Sequence, residues 1–199
     1  MHKDFEIDLH KCLSCLETDG IFLYPTDTVW GLGADASNET AVQRIMHLKN
    51  RPANKSFVVL VADQVQLAQY VTDIDQRIQP YLRQFHKPTT VIYPGAHGLA
   101  PTVIAADGSV AIRICNDPFC QELLRRSGKA LLSTSANLSG QAAPALYAEM
   151  DPAIIQGVDY VVRYRQDDTE RSAPSTIIKW HPDLLNTADN KSPIEIIRN

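Results

Sequence analysis

Two constellations in this chain have residue types and spacing suited to an anionic, phosphorylated ligand. The first closes a helix: Lys49-Asn50-Arg51-Pro52. Upstream, Val42, Ile45 and Met46 recur at helical spacing and mark a buried stripe. Lys49 falls on the continuation of that stripe, where a lysine is costly to desolvate unless an anion or carboxylate meets it. Pro52 biases Arg51 toward an extended conformation, so Lys49 and Arg51 can project to the same side. The pattern fits an anion clamp aimed back at the loop after the first strand. It fits equally well a helix C-terminus whose cations complement the dipole.

The second constellation is Ser133-Thr134-Ser135-Ala136-Asn137-Leu138-Ser139-Gly140. In an extended chain Ser133, Ser135 and Asn137 share one side. The C-terminal end of a strand is where open α/β sheets bind ligands, and hydroxyl and amide groups can donate to phosphate oxygens without adding charge. The alternative is a polar turn whose side chains bond their own backbone. Gly31-Leu32-Gly33 has the GxG of a phosphate loop, but without a third glycine or a GK[ST] it meets neither nucleotide fingerprint. Cys12 and Cys15 have the spacing of half a zinc or redox site. Cys115 and Cys120 form no second half, and Leu9, Cys12, Leu13 and Leu16 fit one helical stripe, so Cys12 reads as a small core residue and no metal site is expected.

The elements that must position these groups alternate along the chain. A helix over about 8–18 stops at Gly20. The strand Ile21–Tyr24 breaks at Pro25, and a helix over about 38–49 begins at a Ser37 or Asn38 cap. Phe57–Val61 is a short apolar run and reads as a buried strand. Asp63 caps a short helix through Tyr70, and Ile74, Ile78, Leu82 and Phe85 mark a helical region that Pro80 kinks or restarts. Strands follow at 89–93 and 110–114, with Arg113 on the opposite face to Ile112 and Ile114; the loop 94–109 between them is long and rich in glycine, proline and alanine. A helix capped by Asp117-Pro118 ends at Gly128. The strand 130–132 runs straight into the serine–asparagine block. One or two short helices over 145–156, a strand at 160–163, a polar loop over 165–174 and closing strands at 175–179 and 194–197 complete the chain. Strands alternating with helices, with strand-on-strand at the tail, give an α/β fold on a mixed sheet.

Composition bounds the function classes. The 199 residues suit one domain, 44% of them are apolar, and the net charge of −4 advertises no global field for nucleic acid. The N-terminus has no apolar signal region and no apolar run approaches a membrane span, so a cytoplasmic location is expected.

Four blocks together carry a family resemblance: Tyr24-Pro25-Thr26-Asp27-Thr28-Val29-Trp30-Gly31-Leu32-Gly33, Lys49-Asn50-Arg51-Pro52, Ser135-Ala136-Asn137-Leu138-Ser139-Gly140 and Pro174-Ser175-Thr176-Ile177. In this order they resemble the signature blocks of the YrdC/TsaC family, the threonylcarbamoyl-AMP synthases of tRNA modification, from about Gly20 to Ile177. The resemblance implies a single YrdC/RibB-like domain over 1–199, without the extra C-terminal domain of longer relatives. It implies a twisted mixed parallel and antiparallel sheet with flanking helices around a concave cationic cavity. The implied reaction joins L-threonine, bicarbonate and ATP into threonylcarbamoyl-adenylate, releasing pyrophosphate, with Mg2+ accompanying ATP and no organic cofactor. The product would pass to the machinery that builds N6-threonylcarbamoyladenosine in tRNA, and tRNA itself is a possible partner.

Residue by residue, the resemblance implies that Lys49 and Arg51 hold the triphosphate with Ser135 and Asn137 opposite, these four being the catalytic group. Ser133, Arg113 and Ser175 are implied as further nucleotide contacts, and Tyr24, Thr26 and Thr90 as the threonine pocket. On this reading Lys49→Ala impairs adenylate formation far more than folding. Two other readings remain at this point: a non-enzymatic RNA-binding protein, and a nucleotide-binding paralogue acting on another substrate.

Overall fold

The computed structural model describes residues 5–52, 56–186 and 192–199. Its first helix, α1 (Glu6–Glu17), buries Leu9, Cys12 and Leu16 on one stripe. The left-handed turn after it is made by Asp19 (φ 47°) and not by Gly20. Gly20 is required for another reason: a Cβ there would lie 2.8 Å from the Cα of Cys15, closer than packed atoms approach.

Strand β1 (Phe22–Tyr24) is followed by a second strand, β2 (Gly31–Asp35), that the glycine pattern had disguised as a phosphate loop. The two pair antiparallel, Phe22 opposite Gly33 and Tyr24 opposite Gly31. A Cβ on Gly33 would sit 2.6 Å from Tyr24 Cε1 and 2.8 Å from Phe22 Cε2. The GxG therefore makes room for two aromatic rings that lie across the neighbouring strand.

Helix α2 (Glu39–Lys49) is capped by Asn38, whose side chain accepts from the Ala41 amide at 3.1 Å, and Asn50 ends it in the left-handed region. Ser37 instead donates to Asp35. Strand β3 (Val58–Val61) leads to α3 (Gln64–Leu67), which Asp63 caps. A 3-10 turn over Gln76–Ile78 passes directly into α4 (Gln79–Leu82), so Pro80 lies in the first turn of a restarted helix.

Strands β4 (Thr89–Tyr93) and β5 (Val110–Ile114) match their expected bounds, and α5 (Pro118–Ser127) runs from its Asp117 cap to a left-handed Gly128. Strand β6 (Leu131–Ser135) is longer than expected and takes in Ser133 and Ser135. The last elements are α6 (Pro152–Gln156), β7 (Tyr160–Val161), β8 (Thr176–Trp180) and β9 (Ile194–Arg198).

Among the described residues the strands form one nine-stranded sheet in the order β7-β1-β2-β6-β3-β5-β4-β8-β9. Three neighbouring pairs are parallel, β1 with β7, β3 with β5 and β4 with β8, and the others are antiparallel. Register and alternation sort the side chains into two faces. Leu32, Ala34, Val59, Val61, Ile112 and Leu132 point to one face, all buried in the core, and α1, α2, α3 and α5 pack on the sheet. The opposite face carries Gly31, Val58, Arg113, Ser133, Ser135 and Ile177, and a cavity lies over it. The groups with chemistry gather on this second face, the rest of which is buried at Phe22, Tyr24, Leu60 and Leu131.

Candidate functional site

The cavity measures about 280 Å³ and has three arginines in its wall: Arg51, Arg113 and Arg198. Its other polar walls are neutral: Thr28, Ser56, the β6 residues Ser133, Thr134 and Ser135, then Asn137, Gln141 and Ser175. No carboxylate is among the described residues that line it.

Each arginine is set by a different part of the chain. Arg51 leaves the end of α2 in the direction fixed by its amide, which donates to Met46 O at 2.9 Å. Its guanidinium lies 4.5 Å over the Phe57 ring and donates to Ser56 O, a cation–π contact that orients the plane. Burial lowers its pKa from the ordinary guanidinium value. Arg113 rises from the middle of the sheet, 5% exposed, and its Nη2 donates to Asp27 Oδ1 at 3.0 Å and to Thr28 Oγ1 at 3.2 Å. Arg198 reaches in from the last strand and holds Ser175 through its carbonyl and hydroxyl at 3.0 and 3.2 Å. Burial, then the nearby charge of Arg113, lowers the pKa of Arg198.

The buried Nε atoms of Arg51 and Arg113 have no hydrogen-bond partner among the described residues. A buried donor left unmade costs about 1–3 kcal/mol, more for a charged group. Three arginines on a wall with no carboxylate among its described residues describe a site suited to an anion.

The serine–asparagine segment forms the adjacent wall. Ser135 Oγ lies 2.5 Å from Asn137 Oδ1, and Asn137 Nδ2 donates to the carbonyls of Leu138 and Gln141 at 2.8 Å each. The amide is thereby locked in one orientation.

Six of the ten residues implicated from sequence line this cavity: Arg51, Arg113, Ser133, Ser135, Asn137 and Ser175. The other four do not line it and stand behind its wall. Lys49, 1% exposed, donates its ammonium to the carbonyls of Ser135 and Asn137. Continuing the buried stripe of α2 brings its charge beneath the segment, where carbonyl oxygens meet it. Thr26 spends its hydroxyl inside its own loop, donating to Val29 O at 2.9 Å and accepting from the Thr28 amide at 3.0 Å. Tyr24 lies under Gly31, and burial raises its phenol well above the ordinary range. Thr90 is fully buried and holds Ser175 from behind, with 2.8 Å between the hydroxyl oxygens.

Sequence reasoning missed Thr28, Trp30 and Arg198, all of which line the cavity. Thr28 is two residues beyond Thr26 in the same block, and alternation within an extended loop could have found it. Arg198 ends the β9 run opposite Ile177, past a register shift that takes it off the side of Ile194 and Ile196, so neither alternation nor its distance from every other block gave a local signal.

The comparisons with known proteins bear on this geometry. Residues 14–198 match the Sua5/YciO/YrdC family model, described as "Telomere recombination". The chain belongs to this family. It is 34% identical over 160 residues to a protein of Stenotrophomonas maltophilia (strain K279a) named threonylcarbamoyl-AMP synthase, an alignment covering 79% of this chain and 86% of that one. The YciO structure from E. coli superposes with a TM-score of 0.78 at 20% identity, over 97% of this chain and 89% of that chain. The P. abyssi Sua5 complexed with L-threonine superposes equally well, with a TM-score of 0.78 at 21% identity. There 97% of this chain aligns but only 54% of that chain, so this chain spans about half the length of that Sua5. The mixed sheet of the present chain is thus the fold of the Sua5/YrdC structures.

Among the described residues, no group of three or more His, Cys, Asp or Glu side chains could hold a metal ion. No described helix is long and apolar enough to cross a membrane.

Proposed function

We propose that this protein is an L-threonylcarbamoyladenylate synthase, a nucleotidyltransferase that makes threonylcarbamoyl-AMP and pyrophosphate from L-threonine, bicarbonate and ATP. The observation that carries the reading is the cavity with three arginines in its wall and no carboxylate among the described residues that line it. The names of this family's relatives support the choice of threonine and of the adenylate product.

The chemistry needs little more than such a cavity. The threonine amine takes up bicarbonate as a carbamate with loss of water. A carbamate oxygen then attacks the α-phosphorus of ATP, and the bond to the bridging oxygen breaks to release pyrophosphate. Negative charge gathers on the phosphoryl oxygens along the way, and fixed guanidinium groups stabilise it without reorganising. Arg51, Ser135 and Asn137 form the triphosphate end. The loop bearing Thr28 forms the threonine end, and Arg113 stands between the two. No side chain serves as a covalent nucleophile, so the catalytic contribution is alignment of the reactants and charge stabilisation.

Among the described residues the wall carries no carboxylate or imidazole to hold Mg2+, and the ion would come with the nucleotide. Bound to ATP, it neutralises phosphate charge and assists the leaving pyrophosphate. The product is a mixed anhydride, handed on to the machinery that transfers threonylcarbamoyl to tRNA adenosine in the cytoplasm.

The test is an assay with purified protein, ATP, Mg2+, labelled bicarbonate and L-threonine, with L-serine as the control. Labelled threonylcarbamoyl-adenylate and equimolar pyrophosphate, dependent on threonine and bicarbonate, are expected. Nucleotide binding without threonine-dependent product would overturn the reading in favour of a paralogue acting on another amine. RNA binding with no ATP turnover would overturn it in favour of an RNA-binding role.

A further inference from the structure

The loop that carries Thr26, Asp27 and Thr28 is held from outside the cavity by a residue that none of the family blocks contains. Arg165 lies on the segment after β7 and sends Nη1 to Thr26 O at 3.0 Å and to Asp117 Oδ2 at 2.9 Å. Its Nε donates to Asp168 Oδ2 at 2.6 Å. Asp117 is 3% exposed on its side chain and also caps α5, accepting from the Cys120 amide at 3.0 Å. One guanidinium therefore joins the substrate loop, the start of α5 and its own segment.

That segment is anchored before it reaches Arg165. The buried carboxylate of Asp8 in α1 accepts from the Tyr160 hydroxyl at 2.6 Å and from the amides of Arg163 and Tyr164 at 3.1 and 2.9 Å. The next residue, Arg165, takes a left-handed backbone conformation, φ 65°. A side chain other than glycine pays for that conformation, and strain of this kind persists only where the surroundings over-determine it. Here the anchored segment, two carboxylates and one carbonyl do so.

The path from Arg165 to the cavity is short and continuous. Fixing the Thr26 carbonyl fixes the Thr26–Thr28 knot, in which the two hydroxyl oxygens are 3.0 Å apart. Asp27 and Thr28 then hold Arg113 Nη2.

Resting on the functional reading above, we propose that Arg165 is a positioning residue: it fixes the Thr26 carbonyl and so sets Thr28 and Arg113 for the threonine end of the cavity.

The test uses Arg165→Gly combined with Asp117→Asn in the full chain. Glycine accepts φ 65° without cost, and asparagine caps α5 as well as aspartate while leaving no buried unpaired carboxylate. KM for threonine should rise by roughly tenfold or more, since misplacement of about 1 Å is enough to do so, with KM for ATP within about twofold of wild type. Hydrogen exchange of the 26–29 amides should quicken in the same variant. Arg165→Lys should fall between the two, because an ammonium lacks the planar fork that meets several acceptors at once. An unchanged KM for threonine in the folded double variant would overturn the proposal, as would an equal rise in both KM values with a lowered melting temperature. Unchanged exchange at 26–29 would overturn it whatever the protein's activity. A wild-type enzyme with no threonine dependence, but with faster exchange in the variant, would overturn the functional reading and leave the clamp standing.

Discussion

The ammonium of Lys49 donates to the backbone carbonyls of Ser135 and Asn137, fastening from beneath a segment 86 and 88 residues further along the chain. A buried lysine cation met by carbonyl oxygens does two jobs. It satisfies acceptors that the turn after β6 leaves pointing inward, and it keeps Asn137 at the cavity wall.

Lys49→Ala should therefore damage fold and chemistry together, where the family resemblance implied a loss of adenylate formation far greater than the loss of folding. Loss of a charged hydrogen-bond donor beneath these carbonyls should lower unfolding stability by roughly 2–4 kcal/mol. Nucleotide affinity should fall with it, because Asn137 loses its support. Urea unfolding and ATP titration of the variant measure the two effects, and a wild-type unfolding midpoint would remove the latch from this account.

Ser135→Ala isolates orientation from support. Ser135 holds the Oδ1 side of the Asn137 amide while Leu138 and Gln141 accept from its Nδ2. Without the hydroxyl the amide keeps its donors but loses its lock. The expected result is roughly tenfold weaker ATP binding with a stability change within about 1.5 kcal/mol, read by calorimetric titration and by thermal unfolding.

Arg198→Gln should separate ligand binding from stability in the opposite sense. Arg198 and Arg113 line one cavity and the charge of one disfavours that of the other. Removing one cation relieves that repulsion in the empty protein but also takes donors from the Ser175 carbonyl and hydroxyl, so the two effects offset and the melting temperature without ligand should move little. The rise in melting temperature on adding ATP should shrink, because ligand stabilisation follows affinity. A full ATP-dependent rise would place Arg198 outside the nucleotide's reach.

Much of this architecture was legible in the sequence. Short apolar runs bounded by turn residues marked β3, β4 and β5, and the Asp63 and Asp117 caps marked the starts of α3 and α5. The site was legible at Arg51, Arg113, Ser135 and Asn137, where polar groups stand at positions that the local pattern makes inward-facing. Elsewhere, long-range packing overrode local signals. Gly31 and Gly33 look like a loop because glycine is rare in strands, yet aromatic rings from β1 demand them inside β2. The resemblance implied Lys49 and Thr26 as ligand contacts, and the fold sets carbonyl oxygens against both. Arg198 and Arg165 reach the site's walls and supports from segments with no motif of their own.

Gly33→Ala tests that packing claim. The added methyl would meet Tyr24 and Phe22 at 2.6 and 2.8 Å, and both rings are fully buried, so neither can swing aside. Overpacking of this sort costs about 1–3 kcal/mol. Urea denaturation should show the loss, and a variant as stable as wild type would mean that the hairpin of β1 and β2 is looser than its register indicates.

The last prediction concerns pH. Asp159 accepts from both terminal nitrogens of Arg44, at 2.8 and 3.0 Å, and from the Ile21 amide at 2.8 Å. The Arg44 hydrogen bonds hold its carboxyl below the ordinary range, against an opposing effect of burial. In the unfolded chain the same carboxyl titrates near its usual value of about 3.9. A depressed folded pKa means that the unfolded state takes up the proton first. The pair's contribution is therefore present above the unfolded value and is lost as pH falls through the folded one. Both side chains are about two-fifths exposed (40% and 42%), so solvent screening keeps the contribution small. Asp159→Asn should melt below wild type at pH 7, and the gap should close as pH falls below about 4. A gap that stayed constant down to pH 3 would show that the carboxylate's charge contributes nothing and that only its shape matters.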